Sequence, residues 1–314
     1  MTPRQTMRGH TNSVKGVVCL PDGQRMITCS SDGSLRLWNV ESGKQIGDNW
    51  TDEDNVGVPT MALSPNSKTV ASGSYDGKMK LWDVETGKVI ARWTKHSSVV
   101  RSVCWSPNGE RVLSGFLNDA AWVWDVESGE TIMGPIKTGH HGLYAVAYSP
   151  DGSKFATGGF KSAEIWDSTT GELLRKLQHY STIWCLAWTS DAEKLICGSF
   201  DSIRIFDTAT WTEIADLNTH NRAVTAITLS RNNRFLASTS LDCTAHLWDL
   251  ETNLQVGLPL HHEKEVRCTT LSADGTCLVT GCDNTNTYMW DVGAILKEHH
   301  LEHLLPISDA VSVK

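Results

Sequence analysis

The 314-residue sequence predicts an all-β fold, a single seven-bladed β-propeller of four-stranded antiparallel blades, and three observations lead there. An aromatic residue followed by Asp or Asn recurs seven times, at Trp38-Asn39, Trp82-Asp83, Trp124-Asp125, Trp166-Asp167, Phe206-Asp207, Trp248-Asp249 and Trp290-Asp291. The spacings are 44, 42, 42, 40, 42 and 42 residues, so one structural unit is copied along the chain. Each unit holds two or three Pro/Gly/Asp turns, and the segments between them are short and rich in Val, Ile and Trp. That composition suits pleated strands and excludes the helical solenoids of similar period.

The elements of a unit follow in a constant order. A segment ending near a His leads into an alternating run such as Val17-Val18-Cys19-Leu20, the first strand. A hairpin turn comes next: Pro21-Asp22-Gly23, Pro65-Asn66-Ser67, Pro107-Asn108-Gly109, Pro150-Asp151-Gly152 or Ala273-Asp274-Gly275. Pro presets φ, Asp or Asn bonds the backbone ahead of it, and Gly takes the positive φ. A second strand (24–30 in the first unit) runs to a second turn, Ser31-Asp32-Gly33, Tyr75-Asp76-Gly77 or Leu241-Asp242-Cys243. The third strand carries the Trp. A third turn, Glu41-Ser42-Gly43 or Glu85-Thr86-Gly87, leads to the fourth strand, such as 88–93.

Composition narrows the function. The net charge is −8 and the isoelectric point about 5.8, against the basic stripe a nucleic-acid surface needs. Nine Cys, an odd number without a C-x-x-C pair, lie mostly inside strand-like runs and read as reduced, packed thiols of a cytoplasmic or nuclear protein. No apolar run approaches a membrane span and the start does not read as a signal peptide.

A His, a strand, S-P-D-G, S-G-S-x-D and then L-W-D, seven times in phase over residues 3–292, resembles the WD40 repeat. The resemblance implies a propeller over 1–292 whose N-terminal residues supply the outer strand of the last blade, followed by a tail over 293–314. Thr2 to Met7 precede His10 much as the fourth strand of blade two precedes His96, and Trp290-Asp291 lacks the usual turn and strand after it. The resemblance also implies a hydrogen-bonded tetrad per blade, joining the His, a Ser or Thr of the second strand, the turn Asp and the Trp. Blade one offers His10, Thr28 or Ser30, Asp32 and Trp38; blade six offers His220, Ser238 or Ser240, Asp242 and Trp248. Blade two has Asp76 and Trp82 with Asp54 at the His position. Blade three has His96, Asn118 and Trp124, and blade seven has His262, Asn284 and Trp290 with Asp283 adjacent. Blades four (Phe160-Lys161-Ser162) and five (Phe206, shortened turn at Asp201) depart furthest; with blade two they are expected to be less rigid.

Catalysis finds little support. His10, His96, His179, His220 and His262 repeat with the blade, and a residue copied in every unit serves folding. No phosphate loop, G-x-S-x-G or H-E-x-x-H occurs. His299, His300 and His303 in the tail have the spacing of zinc ligands on a helix, but a solvated helix face is the better reading, so no metal, no cofactor and no catalytic residue is assigned. The tail reads as a helix over 294–305, stopped by Pro306, whose Leu301, Leu304 and Leu305 dock on the propeller underside.

The family resemblance implies a narrow top face built from two kinds of position. The residue before the turn Asp gives Ser31, Tyr75, Leu117, Phe160, Phe200, Leu241 and Asp283; the start of the first strand gives Lys15, Pro59, Arg101, Tyr144, Trp184, Thr225 and Arg267. The partner-binding candidates are Tyr75, Arg101, Leu117, Tyr144, Phe160, Trp184, Phe200, Leu241 and Arg267, an arc of aromatics with Arg nearby. The expectation is a monomeric, non-catalytic adaptor gripping a peptide or loop of a protein partner, with no nucleic acid and no membrane. A basic anchor on that partner, stacked on the rings, would suit the chain's negative charge. The alternatives are the recognition module of a larger signalling or ubiquitin-ligase assembly and, less favoured, a propeller-scaffold enzyme. The near-uniform repeats look similar to fungal WD40 arrays.

Overall fold

The computed structural model describes residues 1–94, 98–200, 202–218 and 220–306. It forms seven four-stranded antiparallel sheets, each built from strands in sequence order except the last. Blade one comprises Val14–Cys19, Arg25–Ser30, Leu35–Asn39 and Gln45–Trp50. Blades two to six follow over residues 60–94, 100–137, 143–178, 185–217 and 224–261. Blade seven takes Val266–Leu271, Cys277–Cys282 and Thr287–Asp291 from the end of the repeats and Gln5–Met7 from the start of the chain. The pairing Gln5 to Met289, Thr6 to Tyr288 and Met7 to Thr287 is the clasp the sequence predicts.

Closure runs through the first strands. Each packs against the first strand of the next blade, and Val14–Cys19 meets Val266–Leu271 to complete the ring. The second and third strands carry the most buried residues, as in Phe235–Ser240, every residue of which is buried. The fourth strands face solvent on most positions, as in Leu173–Gln178. The core is divided into clusters that each span two blades: Leu81 and Trp93 of blade two pack with Val103, Val112 and Trp124 of blade three. The Trp93 and Trp124 rings stack with centroids 5.5 Å apart. Burying such rings between neighbouring sheets is the main hydrophobic tie between blades.

The turns show why their residues recur. Asp22 Oδ1 accepts from the backbone N–H groups of Gln24 (2.8 Å) and Arg25 (3.0 Å), and Gly23 sits at φ 67°. The Asp or Asn that follows each third-strand aromatic caps the next turn: Asp83 Oδ1 accepts from Thr86 N at 2.8 Å, Asp125 from Ser128 N at 2.8 Å, and Asp207 from Thr210 N at 2.7 Å. All nine cysteines are unpaired. No helix of the described residues is long and apolar enough to cross a membrane.

The tail departs from the expected helix. An α-helix covers Val292–Glu298, capped by the Asp291 side chain on Ala294 N (2.8 Å), and a 3-10 turn covers Glu302–Leu304. His300, at φ 58°, breaks the two apart, so His299 and His303 do not share one helical face. Val292, Ile295, Leu296 and Leu304 are buried against Phe235, Val256 and Leu278 of blades six and seven. Asn232 Nδ2 in the hairpin turn of blade six donates to Leu304 O at 3.0 Å. The tail thus docks on the face of the ring that carries the turns between first and second strands.

Met7 is 1 % exposed and packs with Val14 and Met289, so the clasp shares a core with blade one. Deleting residues 1–8 is therefore expected to lower the melting temperature and promote self-association through the exposed edge of Thr287–Asp291. Calorimetry and size-exclusion chromatography check this; an unchanged, monomeric profile removes the clasp from the account of closure.

Candidate functional site

A backbone irregularity builds the site. In five blades the pairing of first and second strands skips one residue near the start of the first strand: between Val14 and Gly16, Val100 and Ser102, Leu143 and Ala145, Val224 and Ala226, and Val266 and Cys268. The skipped residues are Lys15, Arg101, Tyr144, Thr225 and Arg267. A bulge of this kind re-aims the side chain it carries. In blades two and five the first strand begins later, at Thr60 and Cys185, and Pro59 and Trp184 stand just ahead of it. All seven residues, one per blade, line the same cavity of about 310 Å³ at the mouth of the central channel. Tyr75 joins them from the rim.

The mouth is half aromatic and half cationic. Tyr144 and Trp184 pack with ring centroids 4.6 Å apart, and the Arg101 guanidinium lies 5.5 Å from the Tyr144 ring centre. Arg101 Nε is buried without a hydrogen-bond partner among the described residues. Opposite, Asp283 gathers Arg267, whose Nε donates at 2.9 Å, Lys15 at 3.4 Å and the Ser13 hydroxyl. The Arg267 and Ser13 hydrogen bonds and the Lys15 charge outweigh desolvation and hold the Asp283 carboxyl down at about 2. Lys15, Arg101 and Arg267 are the charged residues of the lining, and no carboxylate is among them. Two thiols of the lining, Cys185 and Cys268, are pushed up by burial, Cys268 to about 12, and so stay protonated and unreactive.

The remaining candidates form a separate rim. Leu117, Phe160 and Phe200 are exposed, at 39 %, 47 % and 50 %, on the turns between second and third strands. Lys161 Nζ lies 5.2 Å from the centre of the Phe160 ring, and Leu241, partly buried, offers its carbonyl to Arg222 at 2.7 Å. Tyr75 Oη pairs with Ser31 Oγ at 3.2 Å and so bridges blades one and two. The aromatics expected side by side are therefore divided, Tyr144 and Trp184 at the mouth and Phe160 and Phe200 outside it. The basic anchor expected to stack on the rings also meets an obstacle, because Arg101 already lies over Tyr144.

Beneath this face lie the tetrads. In blade one His10 Nδ1 contacts Asp32 at 2.8 Å, His10 Nε2 contacts Thr28 Oγ1 at 2.8 Å, and Trp38 Nε1 donates to the same hydroxyl at 2.8 Å. In blade six His220, Asp242, Ser238 and Trp248 repeat this at 2.8, 2.9 and 2.9 Å. Ser30 and Ser240 take another role, each capping the turn Asp through its backbone N–H at 3.1 Å. Hydrogen bonds from the His, the neighbouring hydroxyl and backbone N–H groups outweigh desolvation and hold Asp32 and Asp242 far below the usual carboxylate range.

The other blades depart from the sequence-based assignment. In blade seven His262 reaches Thr280 (2.8 Å) but turns Nδ1 to Leu260 O (2.9 Å), while Asn284 donates to Tyr288 Oη (2.6 Å) and Asp283 serves the mouth. Blade four has a network that the sequence reading missed: His140 contacts Ser162 Oγ at 3.1 Å and Thr157 Oγ1 at 3.0 Å, and Trp166 donates to Thr157 at 2.9 Å. His140 stands 26 residues before Trp166, whereas His10, His220 and His262 stand 28 before theirs, and allowing for the shortened turn would have found it. In blade two Trp82 donates to Ser72 (2.8 Å); Asp52, not Asp54, is the enclosed carboxylate, paired with Lys80 (2.8 Å) and Arg92 (2.6 Å). Asp54 and Asp76 flank Lys78 at the surface. In blade three Trp124 donates to Ser114 (2.8 Å), Asn118 is exposed, and Asp119 ties the blade to His140 N (2.7 Å); His96 lies outside the described residues. In blade five His179 is buried with neither ring nitrogen bonded among the described residues and lies against Phe206; Asp201 of the shortened turn lies outside the described residues.

The tail histidines take no part in a metal-binding group; among the described residues no three His, Cys, Asp or Glu are so placed.

The family model for the WD domain, G-beta repeat, matches residues 1–39, 51–83, 87–125, 133–169, 171–207, 211–249 and 254–291. Among curated proteins the chain is similar to mouse p21-activated protein kinase-interacting protein 1, 34 % identical over 59 residues, 19 % of this chain and 15 % of that one. It is similar to rat apoptotic protease-activating factor 1, 36 % identical over 81 residues, 24 % of this chain and 6 % of that protein. It also matches mouse striatin, 36 % identical over 56 residues, 18 % of this chain and 7 % of that one. The chain thus spans well under a third of the length of these relatives.

Two outcomes follow from the networks. Burial holds His140, His179, His246 and His262 down at about 4, against about 6.5 in the unfolded chain. A depressed folded value means the unfolded chain binds the proton more readily, so stability present above pH 6.5 falls as the pH drops towards 4. Denaturant titrations at pH 7.5 and pH 5 should show a lower midpoint at pH 5; equal midpoints mean these imidazoles are not held neutral. Trp248→Ala should destabilise by about 3–5 kcal/mol, read as a loss in melting temperature, and an unchanged melting curve removes the blade-six network from the stability of the ring.

Proposed function

The chain belongs to the WD40 repeat family, and from that premise we propose that it is a non-catalytic interaction platform binding an extended segment of a partner protein on the face that carries the channel mouth. Family members are typically protein-interaction scaffolds, and the observation that carries the reading here is the convergence of one residue from every blade, five of them re-aimed by a bulge, on a single cavity. Side chains placed by folding alone repeat from blade to blade; these seven differ. They include a contacting Tyr144–Trp184 pair and Arg side chains, the residue types that anchor protein interfaces. The closed ring holds them on a rigid frame, so little conformational freedom is lost on binding. The thiols in the lining are protonated, and the Ser, Thr and Tyr hydroxyls there have only cations and no carboxylate or imidazole in the lining to activate them.

Full-length relatives such as striatin extend far beyond the matched segment, which supports a second reading of this propeller as the recognition module of a larger assembly. Both readings use the same face.

The test compares proteins captured from extract by the wild type, by Trp184→Ala/Phe200→Ala, and by Leu258→Ser. Leu258 lies on the outer strand of blade six, 75 % exposed and away from the mouth. All three are first matched for melting temperature. Proteins retained by Leu258→Ser and lost by the double variant are the expected result. Identical sets from all three baits sink the mouth-face reading.

A further inference from the structure

We propose that the mouth is an anion receptor, taking the carboxylate or phosphate of an acidic peptide segment, with Arg101 as its principal contact; this rests on the platform reading above. Of the three cations that line the cavity, two are already engaged. Arg267 and Lys15 share the Asp283 carboxylate. Arg101 is different: it forms no ion pair with any described residue, its Nε is buried without a partner, and its guanidinium is positioned by the Tyr144 ring. A partly desolvated guanidinium without an acceptor is costly, and a bidentate carboxylate or phosphate is the group its fork matches. The count of charges agrees: three cations face one carboxylate, so the mouth is positive although the whole chain carries −8.

The surroundings fix the rest of the ligand. The Tyr144–Trp184 pair beside Arg101 offers an apolar seat for the residue next to the acid. A basic peptide anchor would meet Arg101 on the very ring it needs. A nucleic acid would bring its many phosphates against a chain whose remaining charge is strongly negative, which leaves a short acidic segment as the occupant.

The probes are fluorescent peptide pools, randomised except for a central Glu, phosphoserine, Lys or Gln, measured by fluorescence polarisation against the wild-type chain. The Glu or phosphoserine pool should bind about tenfold more tightly than the Lys and Gln pools, and whichever of the two is stronger identifies the anion. Arg101→Gln should abolish that preference and Arg101→Lys restore part of it. Asp283→Asn, which releases Arg267 and Lys15, should tighten binding of the acidic pool, a gain that misfolding cannot imitate. Pools that bind equally whatever the central residue, yet are lost in Trp184→Ala, overturn the anion receptor and leave the platform standing. Binding untouched by Trp184→Ala, or no binding by any pool, overturns both. Displacement of the acidic pool by an oligouridylate more readily than by unlabelled peptide assigns the mouth to RNA and overturns the proposal.

Discussion

The interaction on which this propeller depends is the hydrogen bond from a third-strand indole to a second-strand hydroxyl. It recurs in six blades, from Trp38 to Thr28, Trp82 to Ser72, Trp124 to Ser114, Trp166 to Thr157, Trp248 to Ser238 and Trp290 to Thr280. The bond settles two problems together. It gives a buried N–H its acceptor, and it places a large ring where it packs against the neighbouring blade. The hydroxyl has a second lone pair and a proton, so among the described residues it also engages a His in four of these blades and carries the network towards the face of the mouth. Blade five shows what happens without it. Phe206 has no N–H to give, and His179 beneath it has no bonded nitrogen among the described residues.

Much of this architecture was legible because it is periodic. The Trp-Asp spacing and the turns each follow from a residue type whose chemistry recurs with the blade, whereas the clasp was implied by the family resemblance. The bulges were not legible, because they are a property of strand pairing and leave no constant residue behind: Lys15, Arg101, Tyr144, Thr225 and Arg267, which the family resemblance placed on the top face, share no single residue type. Asn284 was misread for a related reason. It holds the repeat position of the turn acid, yet Tyr288 draws its amide away, while Asp283 on the top face turns to the cations of the mouth. The acidic stretch of blade two, Asp52-Glu53-Asp54, offered three carboxylates to the eye, and only the position of Lys80 on the neighbouring strand selects Asp52. In the tail, one residue in the left-handed region, His300, separates two helical turns that the pattern of Leu side chains joins.

Electrostatics divides the molecule more sharply than its composition does. The surplus of 36 acidic over 28 basic residues describes the surface as a whole. Many of those carboxylates are spent on structure, capping turns as Asp83, Asp125 and Asp207 do, far from the mouth in blade order and on its opposite face. At an ionic strength near that of a cell, charges separated by more than about 8 Å are largely screened. A ligand at the mouth therefore meets Lys15, Arg101, Arg267 and Asp283 and not the net charge of the chain. Net charge governs how the protein keeps apart from others, whereas these four groups govern what it holds.

The bulges have a consequence for how such a protein changes over time. Five of the mouth residues are presented by a backbone kink whose pairing is made by their neighbours, so the strand register does not depend on what side chain stands there. Lys, Arg, Tyr and Thr already occupy equivalent bulges of one molecule. The ring thus separates the part of the sequence that maintains the scaffold from the part that addresses the outside, as a lock cylinder separates its housing from its pins. Five such positions let one stable ring be re-keyed by point substitution while its hydrogen-bonded interior stays as it is.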